Sequence, residues 1–242
     1  MVPHPTLTSR YDKPEGKPEF VSRLFDAGAK HYDAVVDWGF LRSGSFYRRW
    51  AQQRHGLRPG MRLLDVACGT GLMATAAARI LGGAEAITCV DPSEGMLQVA
   101  RGKLNATFVH GHAEALPFPD ASFDFLTLGY ALRHVMDLET AFREFRRVLR
   151  PGGKLLILEV TKPSAPLPAA LFRFYFGTLY PALAGLFTRS RDAKNMMQYY
   201  WETMDACVLP ATVVTALTSS GFVDARRDMQ LRIFSEYHGR VP

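Results

Sequence analysis

Apolar and polar positions along the chain follow two periods that alternate at regular intervals. Short apolar runs bounded by glycine, proline or charged residues are typical of strands buried in a parallel sheet. Five such runs span residues 63–67, 86–90, 107–109, 123–128 and 154–160. Residues 72–81 are rich in Ala, Leu and Met without proline, and residues 138–149 place apolar side chains on one face, so both are predicted as helices.

Strands that alternate with helices predict an α/β fold with a doubly wound, mostly parallel sheet. Further helices are expected over residues 93–100 and 209–219. Residues 222–229 and 231–237 are expected to form a closing hairpin, which brings the sheet to seven strands. In such Rossmann-like sheets, ligands bind at the carboxyl ends of the strands.

Two helical additions are predicted around this sheet, all within a single domain over residues 1–242. Residues 1–53 form an N-terminal arm, helical from residue 20 and polar, proline-rich and poorly ordered over residues 1–18. The arm carries a series of aromatic residues: Tyr32, Trp38, Phe40, Phe46, Tyr47 and Trp50. Residues 161–205, also rich in aromatic residues, are predicted as a helical lid inserted after the fifth strand.

A glycine turn joins the first strand to the helix that follows it. Gly69 and Gly71 permit backbone angles that a side chain would forbid, and they let the main chain approach a ligand closely. The helix opens at this turn with unpaired N–H groups. Asp91 ends the second strand, where a carboxylate accepts hydrogen bonds from ribose hydroxyls. The unit therefore predicts a site for an adenosine-containing cofactor.

Two cofactor classes fit this turn. Residues 69–74 match the dinucleotide pattern G-x-G-x-x-G/A, which keeps a nicotinamide or flavin enzyme open as an alternative. Asp65 favours S-adenosylmethionine, because an acid four residues before Gly69 suits the ammonium group of a methionine moiety, reached through water or backbone, better than an anionic pyrophosphate.

The composition of the chain limits the cellular location and the partners that we expect. Of 242 residues, 48% are hydrophobic, which is ample for a core. Three cysteines (Cys68, Cys89 and Cys207) are too few for a disulfide or zinc framework, so we expect a reducing, cytoplasmic location and no metal site. No apolar run of eighteen residues predicts a membrane span, and no signal peptide is expected. The net charge of +6 is dispersed, so nucleic acid is not expected as a partner.

The chain resembles class I S-adenosylmethionine-dependent methyltransferases, specifically the ubiquinone/menaquinone C-methyltransferase family. The resemblance rests on blocks of sequence at residues 32–33, 64–71, 91–97, 113–120, 122–124, 131–133 and 147–153. Together they cover roughly residues 20–160, and the last third of the chain matches only loosely. The glycine block and the Asp91 block are shared by the whole superfamily, whereas Leu116-Pro117-Phe118 and Leu132-Arg133 narrow the resemblance to the quinone family.

By this resemblance, the glycine turn lies against the methionine part of the cofactor, Asp91 holds the ribose, Met96 packs on the adenine and Tyr32 closes over the site. The full set of expected cofactor-binding residues is Tyr32, Asp65, Ala67, Gly69, Thr70, Gly71, Asp91, Pro92, Met96, Gly111, His112, Ala113 and Tyr130. The chain departs from the family pattern at two positions, with His112 in place of Asp and His134 in place of Asn.

Tyr130, Arg133 and His134 follow the fourth strand and are the expected catalytic residues. An imidazole with an ordinary pKa near 6.5 suits His134 as a base or orienting group. Arg133 polarises a phenolate or binds an anion in one interpretation. In the other, it forms a surface ion pair with Asp137 or Glu139.

The predicted reaction is C-methylation of an apolar small molecule, such as a quinone precursor, an isoprenoid or an aromatic metabolite. O- or N-methylation of a secondary metabolite and an NAD(P)-dependent oxidoreductase are the alternatives. Peripheral contact with a membrane and a homodimer are both compatible with the sequence.

Overall fold

Seven strands form one sheet across residues 1–39 and 43–242, the part of the chain that the computed structural model describes. They are β1 (Leu63–Val66), β2 (Ile87–Asp91), β3 (Thr107–His110), β4 (Phe123–Gly129), β5 (Leu149–Val160), β6 (Val223–Gln230) and β7 (Phe234–Arg240). The order is β3-β2-β1-β4-β5-β7-β6. The first five strands are parallel, and β7 runs antiparallel to both neighbours. The predicted fold is confirmed.

Helices flank the sheet: α1 (Lys17–Gly39), α2 (Gly44–Arg54), α3 (Leu72–Leu81), α4 (Glu94–Arg101), α5 (Leu138–Val148), α6 (Pro166–Phe174), α7 (Tyr180–Thr188), α8 (Arg191–Asp205) and α9 (Pro210–Ser219). Side chains cap several of them, since Ser93 accepts from the N–H of Met96 at 3.1 Å and Asp137 accepts from that of Thr140 at 2.8 Å. Residues 40–42 of the predicted arm, including Phe40, lie outside the described residues.

Alternate residues of each strand supply the two cores on opposite faces of the sheet. On β1, Leu64 packs into a cluster with Phe142 and Phe145 of α5, whereas its neighbour Leu63 packs with Ala74 of α3 on the other face. All five side chains are buried. Since both faces are covered, the central strands are mostly apolar, as the sequence pattern indicated.

The N-terminal segment is packed, so the prediction that residues 1–18 are poorly ordered is wrong. The carbonyl oxygens of Met1 and Pro3 accept from the N–H groups of Leu138 and Val208, both at 2.8 Å. The Arg10 guanidinium donates twice to Glu202, at 2.7 Å each. The composition of this segment indicated a solvated tail. The residues that bind it lie more than a hundred residues away in the sequence, so local composition did not reveal them.

The closing hairpin is shifted from its predicted bounds. Leu231 was expected in the last strand, yet Leu231 and Arg232 form the turn, with φ of +49° and +60°. Two consecutive left-handed residues give the turn a twist that matches paired strands. Glycine or asparagine usually occupies such positions, so a leucine there gave no turn signal.

Strand β5 begins at Leu149, five residues before the predicted start. Its register against β4 shifts between the pairs Phe123–Leu149 and Phe125–Lys154. The N–H of Gly152 donates to the Val241 carbonyl at 3.0 Å, and the N–H of Val241 donates to the Gly153 carbonyl at 2.9 Å. Pairing with the end of the chain keeps this glycine segment in the sheet.

Helices α6, α7 and α8 form the segment predicted as a lid, with a π-helical turn at Tyr175–Leu179 between α6 and α7. The continuous helical segment Pro166–Thr188 is long and apolar enough to cross a membrane by length and composition alone. One side of it packs against α1 and α8, where Phe172, Phe176, Tyr180 and Ala184 are buried.

Candidate functional site

A cavity opens at the carboxyl ends of β1, β2 and β4, where the strand order reverses. Seven of the predicted cofactor-binding residues line it: Tyr32, Ala67, Gly69, Asp91, Pro92, Met96 and Tyr130. Tyr130 and His134, two of the three predicted catalytic residues, line it as well. The structure therefore brings both sets together at one site.

The glycine turn has the geometry that a bound ligand requires. Gly69 and Gly71 have φ of +55° and +79°, in the left-handed region that favours glycine. No atom lies within 4 Å of the place where a Cβ of Gly69 would stand, so a side chain there would enter the cavity. Ala67 adopts φ of +51° despite its side chain, which is strain of the kind found at functional sites.

Asp91 lines the cavity and also binds the backbone of the glycine turn. Its Oδ2 accepts from the N–H of Gly69 at 2.7 Å, and its Oδ1 accepts from that of Ser93 at 2.8 Å. Burial raises the pKa of this carboxyl to about 6. A carboxylate accepts about four hydrogen bonds, so Asp91 can accept further ones from a ligand in the cavity that it lines.

Asp65 is fully buried and does not line the cavity. Its Oδ2 accepts from the N–H of Ala74 in the first turn of α3 at 3.1 Å, and its Oδ1 accepts from Thr127 Oγ1 at 2.8 Å. The carboxylate thus ties the N-terminus of α3 to β4. The structure therefore places Asp65, predicted as a cofactor-binding residue, behind the cavity and not in its lining.

The buried Asp65 carboxyl predicts a pH-dependent stability. Burial raises its pKa to about 7, so between its ordinary value near 3.8 and about 7 the folded protein holds a proton that the unfolded chain releases. Stability relative to an Asp65→Asn variant is therefore expected to fall as pH rises through this window, by at most about 1.4 kcal/mol per pH unit. Urea unfolding of both proteins at several pH values measures the difference, and a difference that grows with pH would contradict the assignment.

Helix α1 is held over the cavity by two aspartates. Asp26 accepts from Ser93 Oγ at 2.6 Å and from the N–H of Gly95 at 2.9 Å. Asp33 accepts from the hydroxyl of Thr70 and pairs with Lys103. Thr70 therefore serves to attach α1 to the glycine turn, and it lies outside the cavity lining together with Gly71.

A second cavity adjoins the first and shares Val21, Pro92 and His134 with it. Gly111, His112 and Ala113, three of the predicted cofactor-binding residues, line it. The His112 side chain is exposed at the rim. Backbone groups of this segment, together with the rim imidazole, are available to a purine.

Tyr130 and His134 face the first cavity from the carboxyl end of β4. Tyr130 adopts φ of +61°, and its N–H donates to the Leu158 carbonyl at 2.7 Å, so the strained backbone is anchored on β5. The His134 ring stacks on Tyr199 with centroids 5.5 Å apart and meets the edge of Phe25 at 5.2 Å. Burial and the nearby Arg133 charge lower the pKa of His134 well below its ordinary value, so the imidazole is neutral at pH 7.

Arg133, the third predicted catalytic residue, lies outside the cavity lining. It is fully buried, pairs with Glu159, donates from Nε to Thr203 Oγ1 at 3.1 Å, and stacks on Tyr200 at 3.9 Å from the ring centroid. The alternative interpretation, a surface ion pair of Arg133 with Asp137 or Glu139, is wrong. The sequence did not indicate Glu159 as the partner of Arg133, because Glu159 lies on the neighbouring strand β5 and is distant in the sequence.

A third cavity lies between α1, α2, α7 and α8 and shares Tyr32, Tyr130 and Tyr200 with the first. Tyr180 and Arg48 also line it. The Arg48 guanidinium carbon lies 5.4 Å from the Tyr130 ring centroid, and the residue is only 5% exposed. The third cavity thus combines aromatic walls with the buried positive charge of Arg48.

Arg48 differs from the other buried arginine of the described chain, Arg133. Arg10, Arg54 and Arg133 each pair with a glutamate, whereas Arg48 forms no ion pair with any described residue. A buried charge is expensive unless it is paired, so this guanidinium is a candidate binding group for an anionic or polar ligand atom.

Sequence reasoning did not single out several lining residues. Phe25, Tyr200 and Arg48 stand apart from the motif blocks. Phe25 lies seven residues before Tyr32, so the two share one face of a helix, and this spacing was the available signal. Tyr200 and Arg48 carried no local signal, because their neighbours come from distant elements.

A separate polar cluster lies beside strands β6 and β7, at the opposite edge of the sheet from β3. Ligand atoms of His55, Asp228 and His238 lie within 4.8 Å of one another, a grouping that the sequence did not predict. However, Arg226 Nε lies 3.2 Å from His238 Nε2, and Arg54 pairs with Glu236 beside His55. Positive charge around the group disfavours a metal cation, so we assign no metal to it.

The main cavity fits S-adenosylmethionine. Gly69 leaves open space beside the turn, Asp91 offers a carboxylate at the end of β2, and Met96 provides an apolar surface, 1% exposed, on α4. The cofactor's positive charge suits a cavity with Asp91 on its wall and an aromatic Tyr32 and Tyr130 above it.

Solved structures share the fold. A methyltransferase from Aquifex aeolicus described as S-adenosylmethionine-dependent superposes with a TM-score of 0.60 at 16% identity, covering 83% of this chain and 93% of that one. Phosphoethanolamine N-methyltransferase 2 from Haemonchus contortus, in complex with S-adenosyl-L-methionine, gives 0.65 at 18% identity, covering 93% and 60%. At these identities, the likeness concerns the fold.

Sequence relatives are closer. A demethylmenaquinone methyltransferase from Staphylococcus aureus (strain MRSA252) is 36% identical over 184 residues, covering 74% of this chain and 76% of the relative. A ubiquinone/menaquinone biosynthesis C-methyltransferase UbiE from Shewanella halifaxensis (strain HAW-EB4) is 36% identical over 186 residues, 74% of each. The ubiE/COQ5 methyltransferase family model matches residues 13–228, well beyond the motif blocks that end near residue 160. The chain belongs to this family and is an S-adenosylmethionine-dependent methyltransferase.

Proposed function

We propose that this protein methylates a ring carbon of a hydroxylated, quinone-type acceptor carrying an apolar tail. The names of its relatives, which act in menaquinone and ubiquinone biosynthesis, support this acceptor class. The observation that carries the proposal is the third cavity, a tyrosine-lined space next to the cofactor cavity. It holds Arg48, which forms no ion pair with the residues that the structure describes. A cytoplasmic location is part of the proposal, in keeping with three free thiols.

The residues of the third cavity suit a flat ring with an oxygen substituent. Tyr32, Tyr130 and Tyr200 offer aromatic surfaces, and rings pack favourably against one another at 4.5–7 Å. The Arg48 guanidinium donates to a ring oxygen and stabilises its anionic form. A phenolate pushes electron density onto the ring carbons beside and opposite it, so Arg48 favours carbon as the nucleophile.

When bound, S-adenosylmethionine supplies an electrophilic methyl group on a sulfonium. The residues around it align the acceptor and exclude water, which is the main task in a displacement of this kind. Tyr130 lines both the cofactor cavity and the acceptor cavity, so its ring helps to set the approach of the acceptor carbon.

His134 is proposed to take the ring proton. A methylated ring carbon retains its original proton, which must leave to restore aromaticity. The neutral His134 imidazole accepts it, and its lowered pKa is adequate, because loss of this proton restores the ring. His134 lines the cofactor cavity and not the third cavity, so this role requires the acceptor ring to extend past Tyr130 into the cofactor cavity.

Replacing His134 is expected to slow turnover without weakening cofactor binding. His134→Ala should lower kcat by roughly 100-fold, the lower range for general acid–base groups. Calorimetry with S-adenosylhomocysteine should give a dissociation constant within about twofold of wild type. Unchanged turnover would remove His134 from the mechanism.

Replacing Arg48 is expected to reduce kcat/KM for the acceptor by roughly 100-fold, as for loss of one oxyanion-stabilising donor. Arg48→Met preserves the length of the side chain, and Arg49→Met on the same helix is the matched control. Cofactor affinity should be unchanged in both variants. Equal losses in the two variants would show that the effect is not specific to the cavity.

The reaction itself is tested by incubating the protein with methyl-labelled S-adenosylmethionine and a demethylated naphthoquinol. Label on a ring carbon is the expected product. Label on oxygen, or on nitrogen of an amine acceptor, would favour the O- or N-methyltransferase alternative. Tight NADH binding without binding of the sulfur ligands would instead favour the oxidoreductase alternative.

A further inference from the structure

The helices of the lid leave a long apolar surface uncovered. We define the apolar face as the exposed side chains along one side of α6 and α7: Leu167, Leu171, Phe174, Leu179, Leu186 and Phe187. They are between 36% and 71% exposed. Single exposed apolar residues are ordinary, but a contiguous group of this size marks an interaction surface.

The spacing of these residues follows the helix and its π-helical turn. Leu167, Leu171 and Phe174 are separated by four and three residues, so they share one side of α6. A π-helical turn spans five residues, and Phe174 and Leu179 are five apart across Tyr175–Leu179. The turn therefore continues the exposed stripe from α6 towards α7.

The opposite side of the same segment is bound to the protein. Tyr175 donates its hydroxyl to the Gly39 carbonyl at 2.7 Å, and Tyr180 donates to that of Val35 at 3.1 Å. A helix fixed along one side cannot cross a bilayer in the folded protein, although its composition permits it. It can lie in the plane of an interface, as amphipathic helices do.

Positive charge borders the apolar face. Arg173, Arg189, Arg191 and Lys194 are exposed, and residues 163–194 contain a single acidic residue, Asp192. None of these four cations forms an ion pair with a described residue. Basic side chains around an apolar helix face are the pattern that binds anionic lipid headgroups.

An indole extends the surface on α1. Trp38 is 41% exposed, and its ring centroid lies 5.0 Å from that of Phe187. Tryptophan has an apolar body and a polar N–H, which suits the boundary between headgroups and acyl chains.

The inner side of these helices borders the proposed acceptor cavity, since Tyr180 of α7 and Met197 of α8 line it. The same helices thus connect an exposed apolar surface with the space for an apolar substrate. We propose that the apolar face docks on the surface of an anionic lipid bilayer, with α6 and α7 lying in the plane of the headgroups. This docking does not depend on which acceptor is methylated.

Vesicle sedimentation tests the proposal with the full chain. Wild-type protein is expected to sediment with vesicles of phosphatidylcholine and phosphatidylglycerol, less with phosphatidylcholine alone, and less at high salt. Phe174→Ser and Phe187→Ser should each weaken the binding about tenfold. Leu209→Ser, at an exposed leucine outside the face, is the matched control and should bind like wild type.

Two further measurements test the contribution of the positive charges to lipid binding and the independence of methylation from docking. Arg173→Gln, Arg189→Gln and Arg191→Gln should each weaken binding to the anionic vesicles about fivefold and leave binding to neutral vesicles unchanged. Methylation of a short-chain, water-soluble acceptor should be unchanged in Phe174→Ser, so a failure of docking is distinguishable from a failure of the proposed reaction.

Two outcomes would overturn the proposal. One is wild-type protein that ignores anionic vesicles. The other is a dimer in analytical ultracentrifugation that Phe174→Ser and Phe187→Ser dissociate, without vesicle binding, which would make a second copy of this chain the occupant of the apolar face.

Discussion

Glu159→Leu is expected to destabilise the folded protein by about 3–5 kcal/mol, the range for breaking a buried ion pair from one side. Glu159 and Arg133 are both buried and pair across β5 and the turn after β4. Without the carboxylate, the Arg133 charge would remain buried with only Thr203 and the Tyr200 ring beside it. An uncompensated buried charge carries a desolvation penalty of several kcal/mol.

Urea unfolding monitored by circular dichroism measures this loss. Glu94→Gln is the control, since Glu94 pairs with Arg101 at the surface with side chains about half exposed, and such pairs contribute only about 0–1 kcal/mol. The double variant Arg133→Met with Glu159→Leu should recover most of the stability, because both charges are gone. If the single variant is as stable as wild type, Arg133 is not the buried cation that the structure indicates.

Asp91→Ala is expected to weaken S-adenosylmethionine binding by about 100-fold or more. Hydrogen bonds to a charged group contribute about 1.5–3 kcal/mol each, and two from the ribose correspond to at least about 100-fold in the dissociation constant. The variant also leaves the N–H groups of Gly69 and Ser93 without their acceptor, which loosens the turn. Asp91→Asn keeps one acceptor oxygen and should show a smaller loss.

Isothermal titration calorimetry with S-adenosylhomocysteine gives the affinities, and thermal unfolding checks that each variant is folded. Asp120→Asn is a matched control at a side chain that is 77% exposed and outside the site. An Asp91→Ala protein that binds like wild type would exclude a ribose-binding role for this carboxylate.

The cofactor half of the site could be predicted from the sequence because its residues are local. The turn at Gly69 and Gly71 and the carboxylate at Asp91 belong to one strand–helix–strand unit, whose geometry follows from glycine backbone freedom and strand direction. Ala67, Pro92 and Met96 adjoin these positions in the sequence and share the cavity.

The acceptor half could not be predicted in the same way. Arg48 lies on α2, Tyr180 on α7 and Tyr200 on α8, and no fixed spacing relates them. The prediction of a surface or catalytic Arg133 failed to include its ion pair for the same reason, since its partner Glu159 lies on β5. The turn at Leu231 and Arg232 was missed because its residue types oppose the backbone conformation that they adopt.

Hydrophobic periodicity and glycine positions act over a few residues, so the sheet, its helices, the glycine turn and a site for an adenosine-containing cofactor follow from the sequence. Which charges are paired and which are not depends on how the folded chain packs. This packing buries Arg133 against Glu159, leaves Arg48 facing a tyrosine-lined cavity and exposes the apolar face of α6 and α7. Burial and pairing depend on distant elements that pack together, and a linear pattern does not contain that information.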